Sequence, residues 1–176
     1  MTAETARPPA AFSKAVCQFS SRDAEATTVL AERMADHLKG GDVLLLSGDL
    51  GAGKTHFARS LIQHLLAADG LSEDVPSPTF TLVQTYATKA VEIWHADLYR
   101  LTDPQELWEL GLDEAFESAI SLIEWPERLD QDLPDGAVWL RFDYDPQNPD
   151  FRRLSLFSTA NSSLAKRLAK TMERPA

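Results

Sequence analysis

The sequence predicts an α/β fold in which a mostly parallel sheet is flanked by helices and also contains antiparallel hairpin strands. A short apolar run at residues 43–46 is followed by a glycine-rich loop and then by an amphipathic helical pattern, and a second apolar run occupies residues 120–123. Short, continuously apolar strands are typical of parallel sheets covered on both faces. Apolar residues alternate at 138–144 and again at 154–156, which predicts an antiparallel hairpin.

The composition indicates one globular domain with an acidic charge balance. The chain has 176 residues, of which 44% are hydrophobic, and 17 Lys and Arg against 27 Asp and Glu give a formal net charge of −10. Domains usually have roughly 100–200 residues, and the apolar fraction is too high for a disordered chain. Binding of phosphate backbones without sequence preference needs clustered Lys and Arg, so we expect no direct nucleic-acid binding.

Cysteine and histidine usage excludes two further classes. Cys17 is the only cysteine, which rules out an internal disulfide and fits a reducing cytoplasm. The four histidines are scattered without the spacing of zinc ligands. Residues 1–14 lack the apolar core of a signal peptide, and no segment approaches roughly 18 consecutive apolar residues. We therefore expect a cytoplasmic protein that does not span a membrane.

The chain divides into three parts by composition. Residues 1–12 are rich in Ala, Thr and Pro and are expected to form a disordered lead. Residues 13–160 contain the periodic apolar patterns of a folded domain that includes the glycine-rich loop, and residues 161–176 are expected to form a helical tail.

Two helices are predicted around the glycine loop. Ser20-x-x-Asp23 has the form of an N-terminal capping box, and apolar residues then recur every four positions from Leu30 to Leu38 until Gly40-Gly41. The second helix follows the glycine loop directly, and the turn signal Asp69-Gly70 is expected to end it.

The remaining elements are predicted from turn and cap signals. Residues 79–86 and 91–94 are rich in β-branched and aromatic side chains on either side of a polar bend, which predicts a hairpin. Asp103-Pro104-Gln105-Glu106 has the cap, proline and acid of a helix start, and Gly111 is expected to end that helix. Residues 145–150 are expected to form the loop of the terminal hairpin.

The strongest chemical signal is the glycine loop, which reads Gly48-Asp49-Leu50-Gly51-Ala52-Gly53-Lys54-Thr55. It satisfies G-x-x-x-x-G-K-[ST] between a predicted strand and a predicted helix, the context in which this pattern binds phosphates. The glycines let backbone N–H groups turn towards phosphate oxygens, Lys54 is a point charge able to span the β- and γ-phosphates, and Thr55 offers a hydroxyl to Mg²⁺. The sequence therefore predicts a nucleotide site with Mg²⁺.

Two carboxylates are candidates for the metal side of this site. Asp97 and Glu124 each come at the end of a predicted strand, where a P-loop protein delivers an acid to Mg²⁺. Each is also compatible with a helix cap or a solvated loop residue, so the choice between them stays open at this point. Trp125 follows directly, and an aromatic residue there fits either core packing or a lid over the nucleotide.

Four motifs occur in a fixed order along the chain. They are the glycine loop, Ser77-Pro78-Thr79-Phe80, His95-Ala96-Asp97-Leu98-Tyr99-Arg100-Leu101 and Ile123-Glu124-Trp125-Pro126-Glu127-Arg128. In this combination the chain resembles the TsaE family, small bacterial ATPases required for the threonylcarbamoyladenosine modification of tRNA. The resemblance extends from Phe19 to Phe157.

This resemblance implies Mg²⁺-dependent hydrolysis of ATP to ADP and phosphate that cycles a complex of the partner proteins TsaD and TsaB, which performs the transfer. Direct contact with tRNA is not implied. By the family's pattern, Asp97 and Glu124 are the carboxylates on the metal side of the site, where Thr55 also lies. Thr79 lies in a switch-like segment facing the γ-phosphate, and Trp125 is important for activity.

The expected site therefore has a nucleotide-binding set and a catalytic set. The first comprises the loop, the start of its helix, one residue of the first helix near the adenine, and the tryptophan: Asp49, Leu50, Gly51, Ala52, Gly53, Lys54, Thr55, His56, Thr28 and Trp125. The second comprises Lys54, Asp97, Glu124, Thr79 and Trp125. The residue that orients the attacking water stays open among the two acids and Thr79. No arginine finger is identified, so hydrolysis is expected to be slow until a partner docks.

Two other functions are alternatives to a partner-stimulated ATPase. A small-molecule kinase usually needs an arginine-rich lid. After residues 120–123 the sequence shows no arginine cluster suited to a lid, since the pair Arg152-Arg153 lies in a predicted hairpin. A nucleotide-sensing adaptor with incidental hydrolysis is distinguished by an assay of phosphate release. A GTPase is disfavoured because the guanine-reading motif Asn-Lys-x-Asp does not occur.

Overall fold

Seven strands form one mixed sheet in the computed structural model, which describes residues 8–12, 15–103, 106, 109–129, 133–160 and 162–173. The strands are β1 (Ala15–Ser21), β2 (Val43–Gly48), β3 (Val83–Ala87), β4 (Glu92–Asp97), β5 (Ile120–Glu124), β6 (Val138–Asp145) and β7 (Asn148–Ser158). Their order across the sheet is β1-β7-β6-β2-β5-β4-β3. Strand β2 is therefore central, and the chain directly after it emerges in the middle of one sheet edge.

The four central strands are parallel and the outer strands are antiparallel. Strand β2 pairs in parallel with β5 and β6, and β4 pairs in parallel with β5. The pairs β3/β4, β6/β7 and β1/β7 are antiparallel. Every residue of β2 and of β5 is buried, as expected for strands covered on both faces. The structure thus confirms the α/β fold class.

Helices cover the sheet on both sides. Within the described residues they are α1 (Ala24–Ala35), α2 (Lys54–Ala68), α3 (Leu112–Ser118) and α4 (Ser163–Met172). Helices α1, α2 and α4 contribute to one apolar cluster with one face of the sheet, and the opposite face packs with α3, Phe12 and Leu129. Helix α4 places Leu164, Leu168 and Met172 in the first cluster, so it is packed against the domain.

The first predicted helix begins and ends at different residues from those expected. Asp23, not Ser20, is the N-cap of α1, because its carboxylate accepts a hydrogen bond of 2.8 Å from the backbone N–H of Ala26. Ser20 lies in β1, an unpredicted strand that pairs with β7. The helix ends at Ala35, before Gly40-Gly41, because residues 36–37 form a turn.

Three other boundaries differ from the prediction. The sequence predicts that Gly111 ends a helix, but in the structure it is the N-cap of α3. Its φ is 76°, a conformation that glycine adopts without strain. Residues 79–82 form turns, so the hairpin begins at Val83. The terminal hairpin is tighter than expected, with Asp145 paired to Asn148. The helix start predicted at Asp103-Pro104-Gln105-Glu106 lies partly outside the described residues.

Helix length and hydropathy address the membrane question for the described residues. None of the helices in that part of the chain combines the length and apolar character that crossing a bilayer requires.

Candidate functional site

The glycine loop joins the buried strand β2 to the start of α2. Gly51 and Gly53 have φ values of 78° and 105°, a region that side chains with a Cβ rarely adopt. Gly48 has no room for a side chain, since a Cβ there lies 2.4 Å from the carbonyl oxygen of Phe142. Gly53 caps α2 without a side-chain hydrogen bond, so the first N–H groups of the helix face the loop. The backbone therefore forms a cradle suited to an anion.

The side chain of Lys54 folds back over this loop. Its Nζ donates hydrogen bonds of 2.7 Å to the carbonyl oxygen of Gly48 and 2.9 Å to that of Asp49. The same ammonium lies 4.0 Å from the centroid of the Trp125 ring, within cation–π range. Burial lowers the pKa of Lys54, and the surrounding carboxylates, of which Glu124 has the largest effect, oppose that change.

Glu124 connects α2, the helix that follows the glycine loop, to β4. Its Oε2 accepts a hydrogen bond of 2.8 Å from the hydroxyl of Thr55, and its Oε1 lies 2.8 Å from Nε2 of His95. The side chains of Glu124 and His95 are 2% and 0% exposed. Both carboxylate oxygens are thus held in fixed positions at the carboxyl edge of the sheet. Because the Thr55 hydroxyl donates to Glu124, the lone pairs of its oxygen remain available to a cation.

Asp97 lies beside Glu124 but has different partners. The two residues are paired in register on the parallel strands β4 and β5. Oδ2 of Asp97 accepts a hydrogen bond of 2.7 Å from the Thr79 hydroxyl, and Oδ1 accepts one of 2.9 Å from the backbone N–H of Tyr99. Thr79 is also 2.7 Å from the hydroxyl of Ser77. Asp97 is therefore linked to the segment 77–82, and Glu124 is linked to α2.

Trp125 occupies the space between these groups with a strained backbone. Its φ is 58°, an uncommon value for a large residue, and its N–H donates to the carbonyl oxygen of Leu46 at 3.2 Å. The ring centroid lies 4.9 Å from that of Tyr99 on one side, and Lys54 lies over the ring. The side chain is partly buried, so it packs against the site and still borders its opening.

Thr28, expected near the adenine, and His56, expected at the start of the helix after the glycine loop, lie at the contact between α1 and α2. The Thr28 hydroxyl is 3.0 Å from Nε2 of His56, which also lies 3.1 Å from the carbonyl oxygen of Ala24. His56 lines a cavity of about 240 Å³ beside the loop, together with Gly51 and Gly53. Thr28 does not line this cavity; its role in the structure is to support His56.

Three residues of this region were not singled out as site residues by sequence reasoning. Arg152 on β7 donates from Nε to the carbonyl oxygen of Ala52 at 3.0 Å, and no local signal marks a contact between positions 100 residues apart. His95 holds Glu124, and its place in the motif with Asp97 was the available signal.

The third is Glu127, whose carboxylate oxygens are both buried without a hydrogen-bond partner among the described residues. Burial raises the pKa of Glu127, and its own backbone N–H, followed by the charges of Lys54 and Arg128, partly offsets this change. A buried carboxylate with a raised pKa beside the lysine of the glycine loop is the kind of group that concentrates at functional sites.

The structure brings most of the expected residues to one edge of the sheet. Lys54, Thr55, Glu124 and Trp125 are joined by direct contacts, and Thr79 joins through Asp97. Leu50 stands apart, because its side chain is 79% exposed at the tip of the loop. No group of three or more His, Cys, Asp or Glu side chains able to hold a metal occurs in the described part of the chain.

The sheet order, the glycine loop at the end of its central strand and the acids on neighbouring strands define an α/β protein of the P-loop class. The sequence profile of the family described as "Threonylcarbamoyl adenosine biosynthesis protein TsaE" matches residues 21–154. The chain belongs to the TsaE family, which confirms the resemblance of its motifs.

Individual relatives agree with this assignment. The tRNA threonylcarbamoyladenosine biosynthesis protein TsaE of Rickettsia felis is 50% identical over 103 residues, which is 58% of this chain and 58% of the relative. The TsaE proteins of Bacillus subtilis and Haemophilus influenzae are 40% and 38% identical, over 62% and 71% of this chain and 66% and 75% of their own lengths. The crystal structure of Bacillus subtilis YdiB has a TM-score of 0.69 and 28% identity, covering 88% of this chain and 94% of that one.

Proposed function

We propose that this protein is a Mg²⁺-dependent ATPase that acts in the threonylcarbamoyladenosine modification of tRNA. The observation that carries the proposal is the hydrogen bond of 2.8 Å between the hydroxyl of Thr55 and Glu124 at the end of the glycine loop. It joins the threonine and the strand-end acid that P-loop hydrolases use on the metal side. The biological process is supported by family membership and by the names of the relatives.

The residues present fit Mg²⁺. This ion prefers oxygen ligands and is usually held by one or two protein groups together with substrate phosphates and water, so a cluster of three acids is not required. The hydroxyl of Thr55 would coordinate the ion directly, and the carboxylates of Glu124 and Asp97 would contact it through water molecules. When bound, Mg²⁺ neutralises charge on the β- and γ-phosphate oxygens.

The glycine loop and Lys54 would bind the phosphates. The Lys54 ammonium is hydrogen bonded to the carbonyl oxygens of Gly48 and Asp49. A γ-phosphate oxygen is a charged acceptor and therefore a stronger partner than a carbonyl oxygen. We infer that ATP draws Lys54 away from these carbonyls and from the Trp125 ring.

The chemical step would be attack of water on the γ-phosphorus, with ADP as the leaving group. Lys54 stabilises negative charge that develops on the transferred group, and the backbone N–H groups of the loop hold the remaining phosphates. Thr79 and Asp97, linked by a hydrogen bond of 2.7 Å, are the pair through which segment 77–82 would respond to the γ-phosphate.

Partner proteins are expected to stimulate hydrolysis. No arginine finger is identified in the sequence, and P-loop hydrolases without one of their own act slowly until a partner supplies it. We propose TsaD and TsaB as these partners, in line with the family resemblance of the motifs.

Phosphate release from ATP, measured with and without TsaD and TsaB, tests this function. We expect weak release by the isolated chain, stimulation by the partners, and loss of the stimulated rate in Lys54→Ala and in Glu124→Ala. Lys89→Ala, an exposed lysine in the bend before β4, is the matched control and should retain the wild-type rate.

Two outcomes would contradict the proposal. Stimulated hydrolysis that persists unchanged in both site variants would show that the site residues are wrongly assigned. Tight ATP binding together with partner binding, but without any stimulated phosphate release, would favour the nucleotide-sensing adaptor.

A further inference from the structure

A second cavity lies between the C-terminal end of α1 and helix α4. Its volume is about 560 Å³, within the range of roughly 300–1,000 Å³ that is typical of small-molecule sites. Its charged and titratable lining comes from both helices: Arg33, Asp36, His37, Lys166, Arg167 and Lys170. The N-terminal end of α1, with Ala24 and Thr27, instead lines the cavity beside the glycine loop. The two cavities therefore lie at opposite ends of the same helix.

The second cavity is cationic on an acidic protein. Four of its lining residues are Lys or Arg and one is a carboxylate. With Asp42, which pairs with one of the arginines, the local formal charge is +2 on a chain whose net charge is −10. Lys166 and Lys170 are four positions apart and thus lie on one face of α4. Neither of their ammonium groups has a hydrogen bond or ion pair with a described residue. Like charges at this spacing slightly destabilise a helix, and only Lys170, in the last turn, is placed favourably for the helix dipole.

One wall of the second cavity is fixed by a buried acid. Arg167 donates from Nη2 to Oδ2 of Asp42 at 2.6 Å and from Nε to the carbonyl oxygen of His37 at 3.0 Å. The Asp42 side chain is only 8% exposed. Asp36, the carboxylate of the lining, is engaged with His64 on α2 at 2.8 Å. The guanidinium is thus held in place, and the lysines beside it remain available to a ligand.

We propose that the second cavity is an anion site for a ligand that carries two or more phosphate groups, separate from the P-loop. Phosphate is recognised by convergent Lys and Arg side chains, and a guanidinium held in position adds directional donors. A compact oligophosphate fits the cavity volume, whereas the negative charge of the remaining surface repels a long polyanion. The structure therefore favours a free oligophosphate over the phosphates of a nucleic-acid backbone.

Calorimetric titration of tripolyphosphate into the full-length chain tests this site. Lys54→Ala is used as the background, without Mg²⁺, so that the P-loop contributes little to phosphate binding. In this background we expect Lys166→Gln/Lys170→Gln to weaken binding at least about tenfold, on the scale of two lost ion pairs to a multivalent anion. Lys89→Gln/Arg153→Gln removes the same charge from exposed positions elsewhere and should change the affinity less than twofold.

Some outcomes of this titration would overturn the proposal, and others would identify the kind of phosphate ligand that binds. Equal affinities in both double variants, or no binding at all in the background chain, would overturn it. If a short single-stranded RNA binds and tripolyphosphate does not, and the Lys166→Gln/Lys170→Gln change lowers the salt slope by about 1.4, the phosphates come from a nucleic-acid backbone. Binding of an acidic peptide in place of both phosphate probes would refute the site.

Discussion

Replacement of Glu124 by glutamine is the sharpest perturbation of the candidate site. The substitution keeps the shape of the side chain and removes its charge. The wild-type carboxylate accepts from the Thr55 hydroxyl and interacts with Nε2 of His95. In Glu124→Gln one of these contacts meets an NH₂ group, which only donates. The Thr55 hydroxyl can rotate, and the His95 ring can change tautomer because its Nδ1 has no partner among the described residues.

The expected magnitudes differ between stability and chemistry. A hydrogen bond to a charged group contributes about 1.5–3 kcal/mol and a neutral one about 0.5–1.5 kcal/mol. Two contacts that each lose the charge should therefore lower the free energy of unfolding by about 2 kcal/mol. Removal of one preorganised electrostatic group from a transition state typically lowers kcat by about 10²–10³. ATP affinity should change only a few-fold, because Lys54 and the loop remain intact.

Three measurements on one preparation separate these effects. Chemical denaturation gives the change in stability, equilibrium binding gives the dissociation constant for ATP, and partner-stimulated phosphate release gives kcat. Glu92→Gln removes an exposed carboxylate from the start of β4 and serves as the matched control. A Glu124→Gln protein that folds, binds ATP and hydrolyses it within fivefold of the wild-type rate would refute the assignment of this acid.

Further predictions concern the loop, a buried acid and the cysteine. Gly48→Ala should destabilise the protein by about 3 kcal/mol or more because of the clash with Phe142, and Gly51→Ala, where a Cβ meets open space, by about 1–2 kcal/mol, as denaturation will show. Burial raises the pKa of Glu127 above 4.5, so the wild-type protein keeps its full stability below that pH and loses some of it as the pH rises through the folded-state pKa. Glu127→Gln should therefore have a free energy of unfolding about 1 kcal/mol higher than the wild type at pH 7 and the same value near pH 4. Burial, followed by the charge of the nearby acid, raises the pKa of Cys17 from 9.0 to about 11, so alkylation at pH 8 should be about a hundredfold slower than for an ordinary thiol, and equal rates would contradict it.

The central elements were predictable because their signals are local. The apolar runs of β2 and β5 are buried throughout, and the glycine loop has a sequence pattern that also defines its flanking strand and helix. The two acids at strand ends follow from the same logic, since parallel strands present their carboxyl ends at one edge. Each of these inferences needs information from fewer than about ten adjacent residues.

The features that escaped prediction depend on distant partners. Strand β1 is half exposed and has a mixed polar pattern, and it is a strand because β7 pairs with it more than 130 residues later. Arg152 reaches the glycine loop only because the terminal hairpin lies beside β2 in the sheet. Asp23 caps α1 because Ser20, the first residue of the predicted capping box, is recruited into β1.

The structure also separates two acids that sequence reasoning could not distinguish. Asp97 and Glu124 are neighbours in register, and each accepts a hydrogen bond from a threonine, but the threonines belong to different parts of the chain. Thr55 is in α2, whose start is fixed by the loop and by the buried strand before it. Thr79 lies in the turns of segment 77–82, most of which is exposed or half-buried. A displacement of that segment therefore changes the side-chain partner of Asp97 directly. It reaches Glu124 only through the pairing of β4 with β5, because the carbonyl oxygen of Leu82 also accepts from the backbone N–H of Asp97.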